Sequence, residues 1–103
     1  CISGSGPAYF FLFMEAMEQQ AQTLGFSKEI SRKLVQQTAL GAASMVVENK
    51  QLEISELRAN VTSKGGTTQA ALNHFNAGDL SSLVAQAMNA ALIRAQEIAQ
   101  QNT

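Results

Sequence analysis

The chain has 103 residues, of which 46% are hydrophobic and 15% are charged, and its formal net charge is -1. That length fits one domain, and the composition is too apolar and too weakly charged for a disordered chain. Seven basic against eight acidic residues argue against nucleic acid as a partner, and no uncharged stretch approaches the ~18 residues of a membrane span.

The first predicted helix follows the only proline of the chain. Abundant Ala, Gln, Leu and Met favour helix throughout, and Pro7 suits a first helical turn because it lacks an N–H donor. Gly25 can end this helix in the left-handed conformation, and Phe26 can fold back on the last turn. The expected core face consists of apolar residues at helical spacing: Phe10, Phe11, Phe13, Met14, Met17, Ala21 and Leu24.

Two further helices are predicted in the middle of the chain. Ser27 is a suitable N-cap for a second helix, which runs to about Glu48. Its small residues at 41–43 permit a close helix crossing. A short third helix begins at Glu53 or Ser55 and ends near Val61, so the predicted fold class stays all-α.

The fourth and fifth helices complete a predicted helical bundle. The fourth begins near Thr67 or Thr68 and ends at Gly78, and Asp79 is expected to cap the fifth. The fifth helix would have about 22 residues and a length of roughly 33 Å. A compact domain of this size is only about 26 Å across, so the helix is expected to pack on a second copy. Its apolar positions are Leu80, Leu83, Val84, Ala87, Met88, Ala91, Leu92, Ala95 and Ile98.

Glycine placement is the most informative chemical feature of the sequence. Residues 3–7 (SGSGP) and 63–68 (SKGGTT) each precede a predicted helix. Backbone N–H groups in such loops, together with the positive end of the helix, can hold an anion. Tight turns with hydroxyl N-caps have the same residues, and the pattern alone leaves both interpretations open.

Other candidate groups indicate no reactive site. His74 is the only histidine and has no second ligand at metal-binding spacing, so no metal site is expected. Cys1 has no histidine near it in sequence, which argues against a nucleophile, and as the only cysteine it excludes an internal disulfide. The sequence begins with Cys1 and not with an initiator methionine, and no signal peptide follows. We therefore expect this chain to be part of a longer, cytoplasmic protein. Any chemistry here would need a cofactor to supply the reactive group.

Two motifs resemble the C-terminal domain of the pyrroline-5-carboxylate reductase family. One is Ser3-Gly4-Ser5-Gly6-Pro7-Ala8-Tyr9 ahead of a hydrophobic helix. The other is Leu57-Arg58-Ala59-Asn60-Val61-Thr62-Ser63-Lys64-Gly65-Gly66-Thr67-Thr68-Gln69-Ala70-Ala71-Leu72, which is similar to the signature of the family. The second motif is specific, and the resemblance extends over the whole chain.

The resemblance implies an oxidoreductase of proline biosynthesis with two domains. An N-terminal Rossmann domain, absent from this chain, would bind NADPH or NADH, and residues 1–103 would form the domain that dimerises by interleaving helices. The enzyme would reduce 1-pyrroline-5-carboxylate to L-proline, and this domain alone would be inactive. A homodimer is expected, with or without assembly into a higher oligomer, and no nucleic acid or membrane partner.

The resemblance also assigns site residues. The substrate carboxylate would bind to Ser63, Gly65, Gly66, Thr67 and Thr68, and the Thr68 hydroxyl would reach the ring nitrogen as the catalytic group. A second, weaker assignment places the nicotinamide side of the cofactor at Ser3, Gly4, Ser5 and Gly6. The family commonly has proline at the position of Lys64, and lysine is expected to leave the loop freer.

Two alternatives remain open at this stage. A non-enzymatic helical module for self-association would explain the long amphipathic helices equally well. A sister reductase acting on another cyclic imine would fit the same motifs.

Overall fold

The computed structural model describes residues 2–101, with side chains from Gly4 onward, so Cys1 lies outside the described residues. This range contains five α-helices and no strand, which confirms the all-α prediction. The helices are α1 (Ile2–Thr23), α2 (Lys28–Glu48), α3 (Ile54–Asn60), α4 (Thr67–Ala77) and α5 (Leu80–Gln101). The backbone divides into two compact units, Ile2–Leu57 and the segment from Arg58 onward. None of the described helices combines the length and hydrophobicity needed to cross a membrane.

The first helix begins earlier than the sequence predicts. Pro7 lies inside α1 rather than in its first turn, and its missing N–H leaves the Ser3 carbonyl without the usual helical donor. The end of α1 is as predicted, because Gly25 has φ of 112°. The N–H of Gly25 donates to Gln22 O (3.0 Å), and the N–H of Phe26 donates to Ala21 O (3.1 Å). This pair of bonds is a Schellman motif.

Helices α1 and α2 pack against each other as a hairpin in the first unit. Ser27 caps α2 as predicted, since its hydroxyl oxygen accepts a hydrogen bond from the Ile30 N–H at 3.1 Å. Ser31 and Val35, four residues apart and so on one face of α2, are buried. Two hydroxyl groups of this unit, those of Ser31 and Tyr9, are buried without a hydrogen-bond partner among the described residues.

The third helix begins with a side-chain cap and spans the boundary between the two units in the sequence. The Glu53 N–H donates to the Glu56 carboxylate at 2.8 Å, the backward bond of a capping box. Leu57 is the buried residue of this helix. The predicted boundaries of α3 agree with the structure to within a residue.

Helices α4 and α5 form the second unit and contact each other. Gly78 is the C-cap of α4, as predicted, and its N–H donates to the His74 carbonyl at 3.1 Å. Asp79 differs from the prediction, because it has φ of 57° whereas an N-cap residue is normally extended. Its carbonyl oxygen accepts the Leu83 N–H at 3.1 Å. The turn between α4 and α5 thus depends on an aspartate in the left-handed conformation, which Asp tolerates better than most residues.

Most of the apolar face predicted to be core is exposed in the single chain. Phe10 is 73% exposed and Phe11 63% exposed, and α5 contains no buried residue. The chain has an accessible surface area of 8458 Å². Two separate compact proteins, each with half of its mass of 11.0 kDa, would together have an accessible surface area of only about 6,800 Å². The apolar positions predicted as the core face of α1 are therefore largely exposed, and the packing of α5 on a second copy stays a prediction.

Candidate functional site

The segment between α3 and α4 is a tight turn. The Gly66 N–H donates to the Ser63 carbonyl at 3.1 Å, and Gly65 has φ of 72°. Asp79 is the only non-glycine residue in the described range with a positive φ, so Lys64 has a negative one. A negative φ followed by a positive φ at the two central positions defines a type II turn.

The type of turn explains what Lys64 changes and what it leaves unchanged. Lys64 occupies the first central position of the turn, where proline is favoured because of its fixed φ. The left-handed Gly65 and the bond between Gly66 and Ser63 form the turn without proline. The lysine therefore leaves the turn type intact and adds an exposed positive charge at its corner.

Gly66 lies against Ser63 so closely that a side chain would collide with it. A Cβ atom at Gly66 would overlap the Ser63 hydroxyl oxygen and would lie 3.4 Å from the Ser63 carbonyl oxygen. Gly66 itself has φ of -88° and ψ of -173°, which any residue can adopt. The reason for glycine here is thus the space taken by the Ser63 hydroxyl, and backbone strain plays no part.

Helix α4 begins directly behind this turn with unused N–H donors. Gly66 is its N-cap, and no side chain caps the helix. The first helical bond from this end is that of Ala70 N to Gly66 O at 3.1 Å. No acceptor within the described chain takes the N–H groups of Thr67, Thr68 or Gln69. A helix start with free donors and the positive end of the helix dipole is suited to a carboxylate.

Exposure and hydrogen bonding show which of the predicted groups remain available. Ser63, Gly65, Thr67 and Thr68 are exposed, and Gly66 is half-buried. The amide of Gly66 already donates within the turn, so its contribution to a ligand site is the missing side chain. The backbone N–H of Gln69 was not among the predicted groups. A glycine at the N-cap position was a usable sequence signal for it, because glycine has no side chain to accept from the first N–H groups of the helix.

The other predicted glycine loop is wrong, because Ser3–Gly6 lie inside α1. Glycine and proline made this stretch resemble a loop, but neither prevents a helix near its N-terminus. Gly6 is buried. These residues therefore form no separate loop ahead of α1, and their contact with the nicotinamide side of the cofactor stays a prediction.

The remaining candidates do not form a metal site in the structure. His74 is exposed in the last turn of α4. Within residues 2–101, no three His, Cys, Asp or Glu side chains lie close enough to bind a metal ion. The absence of a metal from the whole protein stays a prediction.

Comparison with known proteins decides the family. A family model described as pyrroline-5-carboxylate reductase dimerisation matches residues 1–98. The chain belongs to this family. The family membership that the two sequence motifs indicate is thereby confirmed.

Relatives of this pyrroline-5-carboxylate reductase dimerisation domain are reductases of greater length. The reductase of Vibrio alginolyticus is 64% identical over 96 residues, which are 93% of this chain and 35% of that protein. That of Pseudomonas aeruginosa is 51% identical over 100 residues, 97% of this chain and 36% of that protein. This chain thus spans about a third of the length of the relatives it matches.

Solved structures of pyrroline-5-carboxylate reductases contain the same fold as this chain. The pyrroline-5-carboxylate reductase of Coxiella burnetii matches with a TM-score of 0.86 and 46% identity, over 90% of this chain and 34% of that one. The Plasmodium falciparum enzyme, solved with NADP bound, matches with a TM-score of 0.82 and 36% identity, over 87% of this chain and 34% of that one.

Proposed function

We propose that this chain is the helical domain of a two-domain pyrroline-5-carboxylate reductase, which reduces 1-pyrroline-5-carboxylate to L-proline. The family match over residues 1–98 carries the proposal. The uncapped start of α4 supports it, because the substrate has one carboxylate to be held. We assign the reaction to the cytoplasm, which the single cysteine supports.

The substrate carboxylate would bind at the N-terminus of α4. The free N–H groups of Thr67, Thr68 and Gln69 are its proposed donors, together with the hydroxyl of Ser63. Gly65 sets the turn that brings Ser63 to the helix start, and Gly66 leaves room for the serine hydroxyl. Charge-assisted hydrogen bonds of this kind are about twice as strong as neutral ones, so they would fix the orientation of the ring.

Thr68 is the proposed catalytic residue. With the carboxylate on the adjacent N–H groups, its exposed hydroxyl would contact the ring nitrogen and orient the C=N bond. A threonine hydroxyl is a weak acid, so the substrate would enter with its nitrogen already protonated. The hydride added to the imine carbon then gives the amine of proline without a further proton.

The described residues contain no nucleotide-binding domain, since the described range has no strand to build a Rossmann fold. Ser3, Gly4, Ser5 and Gly6 lie near the start of α1, from which they would face the nicotinamide side of the cofactor. We propose that NADPH or NADH binds to an N-terminal domain outside this chain, and that the cofactor supplies the hydride. The NADP bound to the related Plasmodium falciparum reductase supports this assignment.

A homodimer is proposed as the state in which this domain is stable. The exposed apolar side chains of α1 and α5, and the large total surface, support it because a second copy would remove that surface from water. Sedimentation of the full-length protein at micromolar concentration should give a dimer or a larger symmetric assembly. A monomer alone at that concentration would contradict the proposal.

The activity is tested with the full-length protein that contains this chain. NADPH oxidation at 340 nm should depend on added 1-pyrroline-5-carboxylate. The Thr68→Ala variant should lose about 1–3 kcal/mol of transition-state stabilisation, or roughly 5- to 150-fold in kcat/KM. Thr68→Ser, which keeps the hydroxyl, should retain most of the activity.

The controls separate three results. A folded Thr68→Ala variant with normal kinetics would remove the role of Thr68 and leave the reductase assignment intact. Failure of the wild-type protein to oxidise NADPH or NADH with this substrate would overturn the assignment. Activity with a different cyclic imine in its place would identify a sister reductase.

A further inference from the structure

Lys64 provides an unpaired positive charge at the corner of the turn. It is exposed, and it takes part in neither of the two ion pairs among the described residues, which join Lys33 to Glu29 and Arg94 to Glu97. Its place in a type II turn, one residue after Ser63, fixes its backbone relative to Gly65 and Gly66. The side chain of Lys64 therefore extends from a turn of defined backbone geometry, and its ammonium group forms no ion pair with another described residue.

The sequence around Lys64 contains no acidic residue to neutralise it. Between Leu57 and Gly78 there are two permanent positive charges, Arg58 and Lys64, one histidine and no Asp or Glu. The nearest acid before this stretch is Glu56, whose carboxylate already accepts the Glu53 N–H at 2.8 Å. The whole chain has a net charge of -1, so this stretch is positive within a slightly acidic protein.

We propose that the positive charge of Lys64 attracts the carboxylate of the substrate to the start of α4 and so strengthens substrate binding. This inference rests on the proposed function, because it uses the same carboxylate site. The lysine would act by its charge and would leave the orientation of the bound ring to the N–H groups and Ser63. Its effect would therefore appear in the KM for the substrate, with kcat unchanged.

The magnitude follows from the Coulomb interaction in water. A unit charge about 5–7 Å from a carboxylate in water would by itself favour binding about three- to four-fold. The protonated ring nitrogen of the substrate, which would lie farther from the lysine, offsets part of this and leaves an effect of about 1.5- to two-fold. Salt reduces this effect, since the screening length falls from about 30 Å at 0.01 M to about 8 Å at 0.15 M salt. The contribution of Lys64 should thus be largest at low ionic strength and small at high ionic strength.

The test compares Lys64→Gln with the wild-type full-length reductase in the NADPH oxidation assay. At about 0.02 M salt the variant should raise the KM for 1-pyrroline-5-carboxylate about 1.5- to two-fold, and at about 0.3 M salt the two proteins should converge. Lys64→Arg, which keeps the charge, should behave as wild type. Lys50→Gln removes another exposed positive charge, on a residue that has no proposed role in binding, and should leave the KM unchanged.

Each remaining result contradicts the inference. An unchanged KM and salt dependence in Lys64→Gln would overturn it while leaving the reductase assignment in place. A raised KM for NADPH with an unchanged KM for the imine would show that the lysine acts on a cofactor phosphate, and would overturn it too.

A wild-type protein without turnover would overturn the proposed function rather than the inference about Lys64. Calorimetric titration of the wild-type and Lys64→Gln proteins with L-proline at low salt then tests whether Lys64 contributes to carboxylate binding. Binding about 1.5- to two-fold weaker in Lys64→Gln supports its role. Equal binding in the two proteins, or no binding at all, refutes it.

Discussion

Substituting alanine for Gly66 should reduce activity without unfolding the domain. The new Cβ would overlap the Ser63 hydroxyl oxygen and lie at ordinary contact distance, 3.6 Å, from the Ser63 Cβ. Because only the hydroxyl must give way, Ser63 can relieve the collision by rotating about its Cα–Cβ bond. The substitution therefore moves the one hydroxyl that we assign to the substrate carboxylate.

The effect on stability should be small, because opposing terms nearly cancel. The backbone of Gly66, at φ -88° and ψ -173°, accepts alanine, and the lower entropy of the unfolded chain stabilises by about 0.4–1 kcal/mol. Alanine is a poorer N-cap than glycine by about 0.5–1 kcal/mol, and Ser63 can move to another staggered rotamer without an off-rotamer cost. The net change in the free energy of unfolding should stay within about 1 kcal/mol.

The effect on catalysis should be larger. A hydrogen bond from a neutral hydroxyl to a carboxylate contributes about 1.5–3 kcal/mol, so its loss corresponds to roughly 10- to 150-fold in kcat/KM. The assay is NADPH oxidation by the full-length reductase, with circular dichroism and the thermal midpoint as checks on folding. Ser63→Ala should give a loss of similar size.

The double variant decides whether Gly66 acts through Ser63. If it does, Gly66→Ala should add almost nothing in a protein that already has Ser63→Ala, because the hydroxyl to be displaced is gone. Losses that add in full would refute this argument, and so would normal kcat/KM in a folded Gly66→Ala protein.

Two predictions concern stability, measured as the thermal midpoint of the full-length protein at one fixed concentration. Gly25→Ala should lower the free energy of unfolding by about 1–3 kcal/mol, because φ of 112° is strained for any L side chain; an unchanged midpoint would contradict the left-handed end of α1. Ser31→Ala should raise it by about 1 kcal/mol, because it removes a buried hydroxyl without a partner. Ser44→Ala, on the same helix and half-buried, is the control and should gain only about 0.5 kcal/mol of helix propensity. A lower midpoint for Ser31→Ala would show that this hydroxyl is satisfied in the assembled protein.

Local chemistry was predictable where a short stretch of sequence determines it. The cap at Ser27 and the left-handed Gly25 depend on one side chain and a few neighbouring backbone groups, and both appear as predicted. Pro7 shows the limit of such rules. A missing N–H is tolerated near the start of a helix, so the position of Pro7 alone does not determine at which upstream residue α1 begins.

Features that depend on three-dimensional contact were not predictable. The apolar stripe that contains Phe10 and Phe11 follows a helical period, but periodicity does not state whether the same copy or another one covers it. The contact between Gly66 and Ser63 depends on the turn type, which requires Gly65 and the carbonyl of Ser63 to be placed first. The candidate site was thus predicted by residue identity, whereas the reason for its second glycine came only from the structure.

The exposed aromatic side chains of α1 have a consequence for how this domain tolerates substitution. In a twofold dimer, a residue that fills part of the shared core occurs twice, once from each copy. A single codon change at Phe10 or Phe11 would therefore alter two symmetric sites in every assembled molecule. Because the same side chains would complete the fold and join the copies, no variant at these positions could weaken assembly while sparing the stability of the domain.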